Sequence, residues 1–198
     1  MACYLIEQGK YKHFAGTQIF AARHPKAFAE LLDRLVEITI EYLKMQIDAG
    51  AEVIQLFDSW AGNLSEADYR RYALPSIVKI FEGLPPEVPT ILYASGSKQL
   101  APALVESGAK GIGCDWKASL AELSEIVPAH ILLQGNLDPT HLYRPAKEIE
   151  EEAKLMLAQG LEHGPFIANL GHGILLDTPV EHAQAFIETA KNYRHPNV

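Results

Sequence analysis

The chain has 198 residues, of which 48% are hydrophobic and 21% are charged, and its formal net charge at neutral pH is −8. This composition is typical of one globular domain with a sizeable core. The acidic balance argues against nonspecific DNA or RNA binding, which needs a clustered basic face. Because neither an apolar run of about 18 residues nor a signal-peptide pattern occurs, we expect a cytoplasmic protein that does not enter a membrane.

Short β-branched or aromatic runs alternate along the chain with segments of helical spacing. Each run is too short for a helix and too apolar for an exposed loop, so the pattern predicts buried parallel strands. The six runs are Tyr4-Leu5-Ile6, Val53 to Phe57, Thr90 to Tyr93, Gly111 to Cys114, Ile131 to Leu133 and Phe166 to Ala168.

Several helices between these runs have recognisable ends. Pro25 suits a first helical turn and Gly50 suits a stop, so we predict one long helix between them. Its apolar face is predicted to cover the sheet and contains Phe28, Leu31, Leu32, Leu35, Ile38, Tyr42 and Ile47. Capping-box spacing predicts three further helix starts, at Ser65 with Asp68, at Ser119 with Glu122, and at Thr178 with Glu181, where Pro179 would occupy the first turn.

Repeated βα units favour an α/β fold of the TIM (β/α)8 type, but a closed barrel needs eight strands and typically about 250 residues. The sequence accounts for about six of those eight units. An open six-stranded sheet would instead leave apolar strands at its edges. We therefore expect residues 1–198 to form a single barrel domain that is incomplete at its N-terminal end.

Polar clusters follow every predicted strand, where βα barrels carry their sites. Together they predict a pocket for a substrate with several anionic groups. Ordinary turn chemistry is the alternative for any one cluster, although it requires neither Gln134 nor His172. The clusters are Glu7-Gln8-Gly9, Asp58-Ser59-Trp60, Ala94-Ser95-Gly96, Asp115-Trp116-Lys117, Gln134-Gly135-Asn136-Leu137-Asp138-Pro139 and Asn169-Leu170-Gly171-His172-Gly173.

The two cysteines, Cys3 and Cys114, fall inside predicted strands and lack the spacing of a zinc ribbon or a disulfide framework. We expect both to be reduced core residues. No metal site is predicted.

In order along the chain, several of these stretches resemble uroporphyrinogen decarboxylase, an enzyme of porphyrin and haem biosynthesis. The resemblance covers nearly the whole chain and implies a TIM barrel with its cleft at the carboxyl ends of the strands. It also implies a cytoplasmic homodimer. The stretches are Tyr4-Leu5-Ile6-Glu7, Ala49-Gly50-Ala51, Phe57-Asp58-Ser59-Trp60-Ala61-Gly62, Gly113-Cys114-Asp115-Trp116, Gln134-Gly135-Asn136-Leu137-Asp138-Pro139 and Asn169-Leu170-Gly171-His172-Gly173.

The resemblance implies a role for individual residues. Tyr4, Ser59 and His172 match substrate-binding residues of the family, and Phe57 would form an apolar wall beside the tetrapyrrole. The two hydroxyls and the imidazole can each donate a hydrogen bond to a substrate carboxylate.

The implied reaction removes CO₂ from the four acetate side chains of uroporphyrinogen III and gives coproporphyrinogen III. It uses no metal and no organic cofactor, because the protonated pyrrole accepts the electrons. The family's central aspartate and its arginines are expected in an N-terminal part outside this chain, so no catalytic residue is assigned. Asp58, Asp115 and Asp138 do not match that aspartate, and Lys98 and Lys117 are the nearest cations.

Two alternatives stay open. The first is a truncated or split-gene product that binds substrate without turnover and requires a missing N-terminal piece. The second, a zinc-dependent corrinoid or thiol methyltransferase on a similar barrel, needs at least three protein ligands for its metal. The chain has no His-x-Cys pair to supply them.

Overall fold

The computed structural model describes residues 1–8 and 14–194, so Gly9 of the predicted cluster Glu7-Gln8-Gly9 lies outside the described residues. Within the described ranges the chain forms an α/β fold around a parallel five-stranded sheet, in the order β1-β2-β3-β4-β5. The strands are β1 (Ile54–Asp58), β2 (Thr90–Ala94), β3 (Gly111–Gly113), β4 (Leu132–Leu137) and β5 (Phe166–Leu170).

Helices precede the sheet and connect its strands. Short 3-10 helices, Ala61–Asn63 and Pro139–Tyr143, follow β1 and β4. No helix in the described part of the chain is both long and apolar enough to cross a membrane. The α-helices are α1 (Ala2–Glu7), α2 (Ala15–Arg23), α3 (Pro25–Asp48), α4 (Glu66–Tyr72), α5 (Leu74–Glu82), α6 (Ser97–Val105), α7 (Leu120–Ser124), α8 (Ala146–His163) and α9 (Val180–Asn192).

The first predicted strand is wrong, because Tyr4-Leu5-Ile6 lies in helix α1. The Leu5 amide donates to the Met1 carbonyl at 3.2 Å, and the Gln8 amide donates to the Tyr4 carbonyl at 2.8 Å. A three-residue apolar run has no periodicity that separates strand from helix. The described residues therefore contain five strands rather than the predicted six, and Cys3 lies on a helix.

Helix α3 has the predicted bounds, with Pro25 in its first turn and Gly50 just beyond its end at φ 102°. Glycine adopts this left-handed conformation without steric cost. The buried face differs from the predicted one, since Ile38 and Tyr42 are exposed. The helix packs on one side only, so the predicted stripe was too wide. The face that is buried contains Phe28, Val36, Thr39 and Leu43.

Two of the three predicted caps form. The Ser65 and Ser119 hydroxyls accept the third amide of their helices, from Asp68 at 3.1 Å and from Glu122 at 3.4 Å. The third prediction is wrong, because the Thr178 hydroxyl donates to the Tyr143 hydroxyl instead and α9 begins at Val180.

One face of the sheet packs against the connecting helices and forms the main core. Leu92, Ile112 and Leu133 project from three neighbouring strands and are almost fully buried. Burying each such side chain contributes roughly 1.5–3 kcal/mol. Their helical partners in the same core cluster include Leu100, Leu104, Leu123 and Ile149.

The opposite face carries a row of residues aligned by the strand register. Phe57, Tyr93, Gly113, Gln134 and Ile167 are paired in turn across the five strands. Side chains of paired residues point to the same face of a sheet. The row therefore crosses the whole sheet near its carboxyl end.

A hydrogen bond across this face shows that the sheet is curved. Gln55 Nε2 on β1 donates to Gln134 Oε1 on β4 at 2.7 Å, although β2 and β3 lie between them. In a flat sheet, strands three positions apart are separated by about 14 Å, or three spacings of roughly 4.8 Å. The strands therefore form an arc, and the row lies on its concave face.

Candidate functional site

Aromatic side chains form a continuous wall at the carboxyl end of the concave face. Phe57, Tyr93, His172 and Trp116 make up this aromatic wall. The Tyr93 ring centroid lies 5.7 Å from that of Phe57 and 6.5 Å from that of His172, and Trp116 lies 5.6 Å from His172. Both contacts of His172 are edge-to-face, which suits rings with a negative face and a positive edge.

Exposure changes sharply along the aromatic wall. Tyr93 is 6% exposed, whereas Phe57 is 63% exposed and His172 is also exposed. A buried tyrosine thus supports an accessible apolar ring and an accessible imidazole.

The loop that carries His172 is held at Gly171. The Gly171 amide donates to the Leu137 carbonyl at 2.8 Å, and the Tyr93 hydroxyl donates to the Gly171 carbonyl at 3.0 Å. A Cβ added at Gly171 would lie 2.2 Å from the backbone nitrogen of Trp116. Glycine is needed here because two backbones meet closely, and this approach places His172 beside Trp116.

Tyr4 reaches the same end of the sheet from helix α1. Trp60 Nε1, two residues beyond β1, donates to the Tyr4 hydroxyl oxygen at 3.0 Å. Phe14 contacts both rings, at centroid distances of 6.2 Å from Tyr4 and 5.0 Å from Trp60. Because the Tyr4 oxygen accepts this bond, its own proton is available to a ligand.

Ser59 is exposed in the turn between Phe57 and Trp60. The structure therefore gathers the four predicted site residues at the carboxyl end of the sheet. Phe57 and Ser59 come from β1 and its turn, Tyr4 is linked to that turn through Trp60, and His172 is linked to Phe57 through Tyr93.

Some residues of the predicted polar clusters lie within strands, and some of their side chains form hydrogen bonds that hold neighbouring loops in place. Gln134 and Asn136 lie inside β4 and are buried, rather than forming a loop after it. The Asn136 side-chain amide donates to the carbonyls of Asp115 at 2.9 Å and Ala118 at 2.7 Å. Asn169 likewise lies inside β5. The polar groups of Gln134 and Asn136 therefore bind other parts of the protein, so the predicted clusters do not all face a ligand.

Two of the strand-end carboxylates have structural partners. Asp115 is buried and accepts the amides of Ser97 at 3.0 Å and Lys117 at 2.8 Å, while the Ser97 hydroxyl accepts the Asp115 amide. Asp138 accepts the amide and hydroxyl of Thr140, each at 2.8 Å, and so caps a 3-10 helix. Both carboxylates therefore stabilise loops.

Asp58 lines a cavity of about 230 Å³ bounded by α1, α2, α3, α5 and β1, and Phe57 of the aromatic wall lines the same cavity. Leu56 and Ile77 are among the apolar residues that line the same cavity. Burial raises the pKa of the Asp58 carboxyl above its usual range, and the nearby amino terminus opposes that shift.

We predict that Asp58→Asn increases stability at pH 7. The folded carboxyl holds its proton more tightly than the unfolded one, whose pKa is about 3.9, so stability falls as pH rises through the folded pKa. The gain should vanish at pH 3.5. Urea unfolding at both pH values, with exposed Glu87→Gln as the charge-matched control, measures it. Equal gains at both pH values would contradict a titration effect.

Of the two candidate cations, one is paired with a glutamate and the other lies against the aromatic wall. Lys98 forms an exposed ion pair with Glu122 at 2.7 Å, and the Lys117 ammonium lies 5.4 Å from the Trp116 ring centroid. Lys117 thus places a cation over the Trp116 ring of the aromatic wall.

Both cysteines are free thiols. Burial, reinforced by Asp115, raises the pKa of Cys114 to about 12, so this thiol is protonated at neutral pH. Within residues 1–8 and 14–194, no group of three or more His, Cys, Asp and Glu side chains is arranged to hold a metal ion.

Comparison with known proteins places the chain in a family. The family model described as uroporphyrinogen decarboxylase (URO-D) matches residues 1–193. The chain belongs to the uroporphyrinogen decarboxylase family. This match includes all four predicted site residues.

Relatives named uroporphyrinogen decarboxylase include proteins from Saccharophagus degradans, 40% identical over 94% of this chain, and Salinispora tropica, 43% identical over 90% of it. Another, from Escherichia coli, is 39% identical over 95% of the chain. The matched regions make up 54%, 48% and 54% of these relatives, so the chain spans about half the length of the uroporphyrinogen decarboxylases that it matches.

A solved structure of a methyltransferase from Methanosarcina mazei is similar in fold, with a TM-score of 0.79 and 24% sequence identity. The similarity covers 89% of this chain and 52% of the methyltransferase. At this identity it establishes a shared fold and gives no information on activity, so the uroporphyrinogen decarboxylase family assignment comes from the sequence matches.

Three residues at the site were not singled out from the sequence. Tyr93, Trp116 and Trp60 were seen only as parts of strands or polar clusters, yet they contact His172 or Tyr4. A sequence signal for Tyr93 is its place in the strand, since Tyr93 is the fourth residue of β2 as Phe57 is of β1, and the two are register partners. The contacts of the two tryptophans depend on how the loops fold.

Proposed function

We propose that this chain supplies the carboxyl-terminal half of an active site that decarboxylates uroporphyrinogen III to coproporphyrinogen III. The observation that carries the proposal is the gathering of Tyr4, Phe57, Ser59 and His172 at one end of a curved parallel sheet, in a member of this family. The Tyr4 and Ser59 hydroxyls and the His172 imidazole would each donate to a substrate carboxylate. Phe57 would contact a pyrrole ring.

The chemistry requires an electron sink beside each acetate. A proton added to a pyrrole carbon makes a cationic ring, which accepts the electron pair when the carbon–carbon bond to CO₂ breaks. A proton delivered to the resulting methylene then gives the methyl group, and loss of the ring proton restores the pyrrole. The exposed ring of Phe57 would help exclude water from the ring that carries this charge.

We also propose that a second polypeptide segment completes the barrel. In the described residues β1 pairs with β2 alone and β5 with β4 alone, so each has one edge without a partner strand. Eight strands close a barrel of this type, and three more would connect β5 to β1. The expected partner is the N-terminal half of a decarboxylase of this family, which would also bring the aspartate and arginines that the resemblance implies.

A second candidate is binding without turnover. It is favoured by the scarcity of cations among residues 1–8 and 14–194, where Lys98 pairs with Glu122 and Lys117 lies against Trp116 of the aromatic wall. A tetrapyrrole with many carboxylates would be held weakly by hydroxyls and one lysine.

The deciding experiment is anaerobic incubation with uroporphyrinogen III, followed by chromatography of the oxidised products. The chain is assayed alone and with a separately expressed N-terminal half of the Escherichia coli relative. We expect stepwise decarboxylation in the mixture, and its loss when His172→Ala and Tyr4→Phe are combined. If the mixture yields no product although size-exclusion chromatography shows a complex, the decarboxylase proposal fails and binding without turnover is favoured. The same chromatography tests the predicted homodimer.

A further inference from the structure

We infer that Tyr93 is the positioning residue for His172, an inference that rests on the proposed role of His172 in binding substrate. The Tyr93 hydroxyl donates at 3.0 Å to the carbonyl of Gly171. That carbonyl belongs to the peptide unit whose nitrogen is the backbone nitrogen of His172. The hydrogen bond therefore fixes the plane of the peptide from which the His172 side chain departs.

Tyr93 can reach this loop because the strand beside it leaves room. Tyr93 belongs to β2 and the loop follows β5, so β3 and β4 lie between them, and β3 is the direct neighbour of β2. The register partner of Tyr93 on β3 is Gly113, where an added Cβ would lie 3.1 Å from both Cβ and Cδ2 of Tyr93. A side chain at position 113 would displace the tyrosine ring, so glycine lets the ring cross the concave face.

Two further contacts fix Gly171, and neither of them involves its carbonyl oxygen, which accepts the hydrogen bond from Tyr93. The Gly171 amide donates to Leu137, and Trp116 packs directly against the glycine. The Tyr93 ring also contacts Phe57, so one side chain contacts both candidate ligand-binding groups of the aromatic wall. Burial raises the pKa of Tyr93 to about 12, which keeps its hydroxyl protonated and able to donate at neutral pH.

The chain offers a matched control in Tyr69. Its ring is fully buried, and its hydroxyl has no hydrogen-bond partner in the described structure. Tyr69→Phe therefore removes a buried hydroxyl without removing a hydrogen bond, whereas Tyr93→Phe removes the hydrogen bond to Gly171. Both changes keep the ring, so differences between them report on that one hydrogen bond.

The first test is amide hydrogen exchange by NMR. The Gly171 amide is hydrogen-bonded to Leu137, and the reference is the Cys114 amide, which is hydrogen-bonded to Gln134. We expect Tyr93→Phe to increase the ratio of the Gly171 exchange rate to the Cys114 exchange rate by about five- to tenfold. Tyr69→Phe should leave this ratio unchanged. An unchanged ratio in Tyr93→Phe overturns the positioning role, whether or not the chain binds a tetrapyrrole.

The second test is uroporphyrin affinity, measured by fluorescence titration in two backgrounds. Tyr93→Phe should weaken binding by about fivefold in the native chain and have no further effect when His172→Ala is already present. An equal loss in both backgrounds shows that Tyr93 acts independently of His172 and overturns the inference. Absence of uroporphyrin binding by the native chain with its N-terminal complement is a failure of the proposed function, and the exchange ratio then decides the inference.

Discussion

Gly171→Ala is expected to lower stability by about 3 kcal/mol, near the upper end of the usual cost of overpacking, and to weaken uroporphyrin binding at least tenfold. The added Cβ would lie 2.2 Å from the Trp116 nitrogen and 2.7 Å from its Cα. Backbone atoms cannot swing aside as a flexible side chain can. The loop carrying His172 must therefore move away from Trp116, which opens the aromatic wall at its exposed end.

Gly173→Ala is the matched control, because a Cβ at that position meets nothing within 4 Å. Both variants add one methyl group to the same loop, two residues apart. Urea unfolding gives the stability difference, and fluorescence titration with uroporphyrin gives the affinity. If Gly171→Ala behaves like Gly173→Ala in both measurements, the close approach to Trp116 does not hold the loop.

Sequence patterns were sufficient for the strands that have strong flanking signals. The strands from β1 to β5 all overlap predicted runs, because each apolar run is followed by a glycine or polar cluster and then by a helix. Helix α3 was predictable for the same kind of reason, as Pro25 and Gly50 mark its ends. The predicted α/β fold with parallel strands is confirmed, and the contact between Gln55 and Gln134 shows that these strands form an arc.

Predictions failed where the local pattern carried little information. Tyr4-Leu5-Ile6 satisfies a strand and one helical turn equally well, and the hydrogen bonds of α1 decide between them. Strand β4 extends through Leu137 because Gln134 and Asn136 find polar partners inside the fold. Local propensity could not reveal those partners, since they lie on other strands and loops.

The candidate site residues came from the family resemblance, and their grouping came from the structure. Tyr4 and Ser59 have no sequence feature that brings them together, yet Trp60 links α1 to the turn after β1. The contact between Tyr93 and Gly171 joins residues 78 positions apart and depends on the curvature of the sheet. Such a contact is a property of the assembled arc and is not encoded in either segment alone.

Asp115→Ala is expected to lower stability by about 4 kcal/mol, since it leaves the amides of Ser97 and Lys117 without an acceptor at roughly 1–3 kcal/mol each. Asp115 is buried, so water cannot replace the lost oxygens without opening the loop. For a chain of this size such a loss should lower the melting temperature by about 8–16 °C.

Asp115→Asn and Asp138→Ala calibrate this result. The asparagine keeps one acceptor oxygen for two amides, so its loss should fall near half of that for Asp115→Ala. Asp138→Ala removes an exposed cap from Thr140 and should cost only about 1 kcal/mol. Trp116 lies between Asp115 and Lys117 in the chain, and the Asp115 carboxylate fixes the loop that carries it. Asp115→Ala should therefore also allow the Trp116 ring to move away from His172, which would weaken uroporphyrin binding. Stability losses of similar size in Asp115→Ala and Asp138→Ala would show that the buried Asp115 carboxylate does not hold the loop of the aromatic wall in place.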